Sequence, residues 1–475
     1  MRKESLLRKL PSVENVLSDS RIEELIERGS RTGIRRIARE RIDHWRGKIL
    51  NGMDQDIQGE GLQDTVISEV IRETEEITGG GLRRAVNALG VIIHTNLGRS
   101  VLGREVREEI DRSAAGYIDL EVELESMSRT KREARAARLF SLMTGFEDAH
   151  IVNNNAAAVF LAVETLAGRG AVAVSRGELV EIGGSFRLPE ILAKAAGRVM
   201  EIGTTNRTHL RDYREAVQQG ADLILKVHRS NYRISGYTNE VSLQELVALG
   251  RDSGVPVMYD QGGGLFHRVE GMDEDDEMDI VQIEETGVNV VSFSADKLLG
   301  GPQGGVLLGD AEFISRMKNN HLARVLRVGK LTLAGLEKTL THYWFREYDR
   351  IPVLKMAGIP LEQMRSRAEN FAGSLRSELP KKITVSIVEG DSAIGGGTFP
   401  NNPLPTILVE IILQTEAAEK LSRLLREGSP PVLIRVKKDS VLIDLRTVSE
   451  DEEKILKEKI IQGIGFLEGG SEINA

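Results

Sequence analysis

The chain has 475 residues, no cysteine and a formal net charge of −9 at pH 7. Because this length exceeds what one hydrophobic core usually supports, we expect two or three domains. The lack of cysteine excludes disulfides, thiolate metal sites and a cysteine nucleophile. The sequence shows neither a long apolar run nor a signal-peptide pattern, so we expect a cytoplasmic protein without a membrane span.

Residues 1–61 predict a small helical module followed by a linker. Within residues 1–50, 13 Lys and Arg stand against 8 Asp and Glu, so this segment is basic while the rest of the chain is acidic. A basic segment on an acidic chain would suit contact with nucleic-acid phosphates. A solvated helical face is the alternative, and charge alone favours it.

Residues 62–340 predict a large domain in which short strands alternate with helices. Such alternation is typical of a mostly parallel sheet covered on both faces, and ligands bind at the carboxyl ends of its strands. The strands are predicted at Ala149–Val152, Ala171–Val174, Arg198–Ile202, Leu223–Val227, Val255–Tyr259 and Val288–Phe293.

Two segments of this domain have anion-binding features. Arg99 follows a β-type run at Val91–His94, and its planar guanidinium would suit a phosphate or carboxylate, with a surface salt bridge as the alternative. Asn153, Asn154 and Asn155 open an alanine-rich helix, where free N–H groups and the helix dipole favour a cofactor phosphate. An ordinary asparagine cap is the alternative there.

Two later strands end in chemically active residues. Asp260 follows Val255–Tyr259, and Lys297 follows Val288–Phe293 in a glycine-rich loop. Pyridoxal 5'-phosphate (PLP) needs these two groups, a lysine for the Schiff base and a carboxylate at its pyridine nitrogen. A solvated lysine on a flexible loop is the alternative, but the two strand ends and the asparagine-rich helix start together favour a PLP site.

Residues 341–475 predict a smaller α+β domain. Its strands are expected at Ile383–Val388, Ile407–Ile412, Val432–Val436 and Val441–Leu445. Its helices are expected at Glu362–Leu379, Glu416–Arg426 and Asp451–Phe466. Strand and helix alternation without long apolar runs indicates a lid packed on the sheet domain.

No metal site is predicted. The acidic run Gly271–Asp279 lacks the spacing of a calcium-binding loop, so a solvated loop is favoured. The eight histidines show no H-E-x-x-H pairing, and none is assigned to a metal.

Long strings of the chain resemble the bacterial selenocysteine synthase family, the seryl-tRNA(Sec) selenium transferases. They run in order over essentially the whole sequence and include NALGVIIHTNLGRSVLG, VNNNAAAVFLAVETLAGRG, LKVHRSNYRISGYT, SADKLLGGPQGG and LARVLRVGKLTLAGLE. The resemblance implies an α/β fold of the fold-type I (aspartate aminotransferase-like) PLP-dependent transferases. It also implies conversion of seryl-tRNA(Sec) to selenocysteinyl-tRNA(Sec), by β-elimination to an aminoacrylate and addition of selenium from selenophosphate.

The resemblance also implies partners and residue roles. A homo-oligomer built as a ring-like pentamer of dimers is implied, with tRNA bound by the basic module and neither DNA nor membrane as a partner. Lys297 is implied to carry the Schiff base, Asp260 to face the pyridine nitrogen, and Asp296 to be a further acidic group in the chemistry. The selenium donor's anionic group is implied to bind a set of three arginines: Arg99, Arg324 and Arg327.

The residues themselves support some of these roles, and at a few positions the chain departs from the family pattern. Arg324 and Arg327 are three residues apart, so on one helix both would face one anion. Asn231 lies just after Leu223–Val227 and is a candidate to hydrogen-bond the cofactor's ring oxygen. Gly329 stands where the family usually has aspartate, which removes a carboxylate beside the arginines. Two milder departures are Gly305, where alanine is usual, and Arg229.

Two other functions remain open from sequence. One is a PLP-dependent lyase of a small amino acid or amino-sugar phosphate, although such a substrate gives no reason for the basic module. The other is a tRNA-binding protein without catalysis, which the pairing of Lys297 with Asp260 argues against.

Overall fold

The computed structural model describes residues 2–51, 61–79, 81–182, 186–232, 234–269, 277–395, 403–413 and 415–469. The chain forms two compact units, Met1–Arg84 and Ala85–Ala475, which we call the amino-terminal unit and the main unit. Across those described ranges, no helix combines the length and the apolar character that crossing a membrane requires.

The amino-terminal unit is helical, as predicted, but it is longer than predicted. Its helices are α1 (Arg2–Lys9), α2 (Val13–Leu17), α3 (Ser20–Arg28), α4 (Arg31–Leu50) and α5 (Leu62–Thr78). Helix α5 was assigned to the large domain, yet Val66, Ile67 and Val70 are buried in one core with Ile34 and Ile42 of α4. The boundary therefore lies after Arg84 and not at residue 61. Most of the predicted linker, residues 52–60, lies outside the described residues.

The main unit alternates strands and helices along most of its length. Its strands are β1 (Val86–Asn87), β2 (Val91–Ile93), β3 (Asp148–Val152), β4 (Ala171–Ser175), β5 (Glu181–Ile182), β6 (Phe186–Arg187), β7 (Arg198–Ile202), β8 (Ala221–Val227), β9 (Val257–Gly262), β10 (Val290–Ser294), β11 (Gly305–Gly309), β12 (Thr384–Gly395), β13 (Leu404–Ile412), β14 (Val432–Leu433), β15 (Arg435–Lys437) and β16 (Ser440–Asp444). Its helices are α6 (Arg104–Ala115), α7 (Ala134–Thr144), α8 (Asn155–Leu166), α9 (Leu188–Ala195), α10 (Leu210–Gln218), α11 (Leu243–Ser253), α12 (Ile280–Glu285), α13 (Ala311–Asn319), α14 (His321–Val325), α15 (Lys330–Trp344), α16 (Pro352–Ala357), α17 (Leu361–Glu378), α18 (Thr415–Glu427) and α19 (Glu450–Gly469).

The larger sheet of the main unit has the strand order β3-β11-β10-β9-β8-β4-β7. Neighbouring strands from β10 to β7 are parallel, and β11 runs antiparallel to both β10 and β3. The prediction of a mostly parallel sheet is confirmed. Strand β11 was not predicted, because Gly305 and Gly309 bound a run of only three apolar residues.

The smaller sheet has the order β15-β16-β13-β12-β2. Its carboxyl-terminal strands are antiparallel, whereas β2 joins parallel to β12. Strand β1 likewise pairs with β14. The segment 86–93, predicted in the large domain, is therefore part of the carboxyl-terminal sheet, and it leads directly into the loop that carries Arg99.

Apolar residues cover both faces of the larger sheet. Helices α7, α10, α11, α12 and α15 pack on one face, and α8, α9 and α13 pack on the other. All five residues of β10 are buried, as expected for a strand in the middle of a sheet that is covered twice. The buried segment after β10 begins with Ala295 and contains Lys297.

Candidate active site

The site forms at the carboxyl ends of β8, β9 and β10, which are adjacent in the larger sheet. Asp260 is paired with Val227 of β8 on one side and with Ser292 of β10 on the other. It lies inside β9, two residues before the strand ends, and not beyond the strand as the sequence predicted. Lys297 comes three residues after the end of β10. The parallel register thus brings the predicted carboxylate and lysine to one edge.

The Asp260 side chain is held by two donors on different elements. Asn155 Nδ2 and Ser292 Oγ each donate a hydrogen bond of 2.9 Å, and both bonds end on Oδ1 of Asp260. The backbone is fixed as well, because the N–H of His228 donates to the Asp260 carbonyl (2.9 Å). Burial raises the pKa of the Asp260 carboxyl, while the two hydrogen bonds and the charge of Lys297 oppose that rise.

Lys297 is buried, with 6% of its surface exposed. Burial lowers the pKa of its amine, and the positive charge of Arg99 lowers it further, against the carboxylates of Asp260, Glu277 and Asp296. A lysine with a lowered pKa has a larger neutral fraction at neutral pH, which makes it a better nucleophile toward an aldehyde. Its backbone is fixed, because Ser100 Oγ donates to the Lys297 carbonyl (2.7 Å).

Arg99 lies in the same site and pairs with Asp296. Its Nη1 atom is 3.1 Å from Oδ1 and 3.0 Å from Oδ2 of Asp296, which is only 6% exposed. Arg99 has a φ of +63°, a left-handed conformation that is uncommon for residues other than glycine. The neighbouring Ser100 also ties this loop to the lysine segment through its backbone, because its N–H donates to the Asp296 carbonyl (3.3 Å). No sequence pattern predicted this role of Ser100.

The asparagines at the start of α8 have different surroundings. Asn154 is the ordinary helix cap, since its side chain accepts from the N–H of Ala157 (2.9 Å). The Asn155 side chain contacts Asp260. In the described part of the chain, the N–H groups of Asn155 and Ala156 have no acceptor. An anion at this helix start would therefore bind backbone N–H groups rather than these two amide side chains.

The prediction that Arg324 and Arg327 share one helix is wrong. Helix α14 ends at Val325, and Arg327 instead forms a bridge with Val152 beside β3. Arg327 Nη1 lies 3.8 Å from Glu121 Oε1, and Arg324 is exposed. Among the described residues, no hydrogen bond or ion pair joins Arg324 or Arg327 to Arg99. The separation has a local cause, because Leu326 already caps α14 and turns the chain.

Two of the three departures from the family pattern, Gly329 and Arg229, also have defined surroundings. Gly329 is the residue before α15, and a Cβ there would meet no atom within 4 Å. Arg229 Nη2 donates to Glu240 Oε2 (2.6 Å). Space for a larger side chain at position 329 is therefore present, and the Arg229 side chain is already paired.

Asn231 and His228 both follow β8 at the site edge. Asn231 Nδ2 donates to the Glu181 carbonyl (2.7 Å), and its Oδ1 is buried without a partner among the described residues. Burial lowers the pKa of His228 to about 4, so its imidazole stays neutral at physiological pH. His228 Nε2 lies 3.7 Å from Glu277 Oε2, and Glu277 in turn accepts from Gln261. The sequence did not single out His228, because its burial follows from the sheet packing.

Gly305 sets how closely β11 approaches the start of α8. A Cβ at this position would lie 2.1 Å from the Asn154 carbonyl oxygen and 2.8 Å from the Asn155 nitrogen. The alanine that is usual in the resembled family would therefore need a wider gap between β11 and Asn154 than this chain has. In this chain we expect Gly305→Ala to push the turn away, to cost about 1–3 kcal/mol of stability, and to weaken PLP retention. Thermal unfolding and equilibrium dialysis of PLP measure both effects.

A matched control lies one residue earlier. A Cβ at Gly304 would have its nearest neighbour at 3.6 Å, which is ordinary contact. Gly304→Ala should therefore leave both measurements close to wild type. Equal behaviour of the two variants would show that the backbone at Asn154 moves without consequence.

A solved structure of similar fold supports the architecture. The structure of D-glucosaminate-6-phosphate ammonia-lyase matches with a TM-score of 0.57 and 19% sequence identity, over 81% of this chain and 96% of that one. At this identity the likeness concerns the fold alone. Together with the sheet order, it confirms the predicted fold class, that of the fold-type I PLP-dependent transferases.

Sequence relatives give the family. The chain is 39% identical over 462 residues to the L-seryl-tRNA(Sec) selenium transferase of Geotalea daltonii, covering 97% of this chain and 99% of the relative. It is 40% identical over 452 residues to that of Carboxydothermus hydrogenoformans, covering 94% and 96%. The selenocysteine synthase N-terminal family model matches residues 7–46, and the L-seryl-tRNA selenium transferase model matches residues 85–449. This chain belongs to the L-seryl-tRNA selenium transferase family.

Proposed function

We propose that this protein converts L-seryl-tRNA(Sec) to L-selenocysteinyl-tRNA(Sec), with PLP as cofactor and selenophosphate as selenium donor, in the cytoplasm. The observation that carries the proposal is the buried Lys297 beside Asp260 in a chain that aligns over at least 94% of its length with curated transferases of this reaction. Family membership supplies the substrate, and the geometry supplies the chemistry.

The residues present fit PLP. Lys297 is a buried amine with a lowered pKa, suited to bond an aldehyde. Asp260 presents a carboxylate whose Oδ2 has no hydrogen-bond partner among the described residues, and it can face a pyridine nitrogen. The N–H groups of Asn155 and Ala156 at the start of α8, next to Asn153 and Asn154, can hold the phosphate. Asn231, with its buried Oδ1, remains a candidate near the ring oxygen.

Each of these groups has a role in the proposed reaction. When bound, PLP supplies an electron sink conjugated to the amino-acid carbon that loses its proton. Asp260 Oδ2 would accept the hydrogen of the ring nitrogen and so favour the positively charged ring. Lys297, as a neutral amine, would remove the proton from the serine α-carbon and would later return a proton. The burial of this lysine excludes water from its amine.

The selenium donor is an anion and needs cations. Arg99 uses Nη1 for Asp296, which leaves Nε and Nη2 for an anion beside Lys297. We place the donor's phosphate there, with Asp296 orienting the guanidinium. No bond among the described residues joins Arg324 or Arg327 to Arg99, so we assign their part in the donor site to a second copy of the chain. The homo-oligomer that the family resemblance implies would supply that copy.

A substrate comparison tests the proposal against the lyase alternative. Loss of the serine hydroxyl should occur with L-seryl-tRNA(Sec) and not with free serine or an amino-sugar phosphate. The protein is incubated with each compound, and remaining seryl-tRNA and released ammonia are measured. Ammonia from the free compounds, with intact seryl-tRNA, would favour the lyase.

The amino-terminal unit is proposed to bind the tRNA. On α4, Arg35 pairs with Glu14 and Arg41 with Glu73, while Arg36 and Arg39 are exposed. Reversing both exposed charges, Arg36→Glu with Arg39→Glu, should weaken binding of tRNA(Sec) about tenfold or more. The slope of the logarithm of the binding constant against the logarithm of the salt concentration should become shallower by about one to two. Gel retardation at several salt concentrations measures this.

A control carries the same change of charge elsewhere in the unit. Arg28 ends α3 and Arg72 lies on α5, and both are exposed. Arg28→Glu with Arg72→Glu should bind more tightly than the α4 variant and keep the wild-type salt slope. Equal weakening by the two pairs would mean that total charge, and not α4, attracts the tRNA.

A further inference from the structure

We propose that Asn155 and Ser292 are positioning residues that hold Asp260 by one oxygen, so that its other oxygen is the single acceptor for the cofactor's ring nitrogen. This inference deepens the proposed function and rests on PLP binding at Lys297. Neither residue was given this role by its sequence motif: Asn155 was predicted at the phosphate, and Ser292 was not singled out.

The first support is the asymmetry of the two Asp260 oxygens. Both donors reach Oδ1, at 2.9 Å each, from α8 and from β10. The Oδ2 atom has no hydrogen-bond donor in the described ranges of the chain. A carboxylate held in this way cannot rotate without losing two hydrogen bonds, and its unused lone pairs point away from both donors.

The second support is the free-energy cost of burying the polar groups of Ser292 and Asn155. Ser292 is fully buried, and its hydroxyl donates its single proton to Asp260. Asn155 Oδ1 is buried without a partner in the part of the chain that the structure describes. A buried acceptor left empty costs free energy, so the Asn155 amide is held there for what its N–H group does. That group contacts Asp260.

The two donors also act on the charge of Asp260. Burial favours the protonated carboxyl, and hydrogen bonds to the charged form oppose it. Removing the donors therefore raises the Asp260 pKa further. A protonated Asp260 no longer accepts the ring N–H. As the pH falls, the contact is therefore lost at a higher pH in the variants than in the wild type.

The test compares PLP with 1-deaza-pyridoxal phosphate, in which C–H replaces the ring nitrogen. The dissociation constants of both are measured by equilibrium dialysis on protein freed of cofactor, and their ratio isolates the nitrogen contact from general effects on folding. A hydrogen bond to a charged group is strong enough that the wild type should bind PLP about tenfold or more tightly than the deaza analogue. Asn155→Ala with Ser292→Ala should bring the ratio within about threefold of that of Asp260→Asn.

The isosteric single variant and a matched control keep the test decisive. Ser292→Ala alone should lower the ratio about threefold or more and move its pH midpoint upward. Asn289 also joins β9 to β10, since its Oδ1 accepts from the Val257 N–H (2.8 Å), but at the opposite end of these strands. Asn289→Ala should keep the wild-type ratio even if the protein is less stable.

The outcomes separate this inference from the proposed function. A wild-type ratio well above one that persists in the double variant overturns the role of Asn155 and Ser292 while leaving the cofactor site intact. A wild-type ratio near one shows that Asp260 does not face the nitrogen, which overturns this inference together with the proposed role of Asp260. Failure of the wild type to bind PLP at all overturns the proposed function itself.

Discussion

Lys297→Ala is expected to remove the visible absorbance of bound PLP and to lower the rate of seryl-tRNA conversion by about 10³-fold or more. The reason is that one amine both bonds the cofactor and moves the substrate proton. Burial is the largest cause of the lowered pKa of this amine. Borohydride reduction followed by mass spectrometry of the Lys297 peptide measures the attachment directly.

Lys318 provides the matched control for this loss. Its amine is also poorly exposed, and it pairs with Asp148 at the start of β3 (2.7 Å). Lys318→Ala should reduce stability but keep the absorbance and the cofactor adduct on Lys297. An adduct on another lysine in the Lys297→Ala protein, with activity preserved, would contradict the assignment.

The largest effect on stability is expected for Asp444→Ala in the smaller sheet. The Asp444 side chain is fully buried and accepts hydrogen bonds from Arg435 (3.0 Å), Ser392 (2.7 Å) and Thr406 (3.2 Å). Removing this buried carboxylate leaves the Arg435 guanidinium, whose side chain is 29% exposed, and two buried hydroxyls without their acceptor, which costs about 3–5 kcal/mol. Urea unfolding followed by circular dichroism measures the loss.

This network also bears on the active site. The backbone N–H of Asp444 donates to the Ala88 carbonyl (3.0 Å), and Arg435 Nε donates to the Leu89 carbonyl (2.6 Å). These bonds hold the segment that enters β2 and then the Arg99 loop. An exposed carboxylate is the contrast, since the Glu389 side chain is 82% exposed beside Arg365. Glu389→Ala should cost less than about 1 kcal/mol, and an equal cost for both would refute the buried network.

Much of the fold could be predicted from the sequence. The strand Arg198–Ile202 was predicted with its observed bounds, and Ala171–Val174 and Leu223–Val227 differ by only one or two residues. Their apolar runs are short and bounded by turn residues, which is the signal of buried parallel strands. The meeting of Asp260 and Lys297 could be predicted as well, because the carboxyl ends of parallel strands share an edge.

The errors come from contacts distant in sequence. Helix α5 was placed in the wrong unit because an amphipathic pattern does not say which core it covers. Strand β2 pairs with β12, some 300 residues later, and nothing local indicates that partner. The prediction of one helix containing Arg324 and Arg327 was wrong for a local reason, because residue spacing alone does not reveal the helix cap at Leu326. Asn155 was given a local role as a helix start, whereas its side chain bonds to Asp260, 105 residues away.

Transfer of selenium to tRNA-borne serine at Lys297 is the activity proposed for this chain. The most direct test supplies purified protein with PLP, L-seryl-tRNA(Sec) and selenophosphate labelled with radioactive selenium, and then measures label in the aminoacyl group released from the tRNA. We expect label as selenocysteine with the wild type and none with Lys297→Ala. Unchanged seryl-tRNA in the presence of fully bound PLP and donor would contradict it.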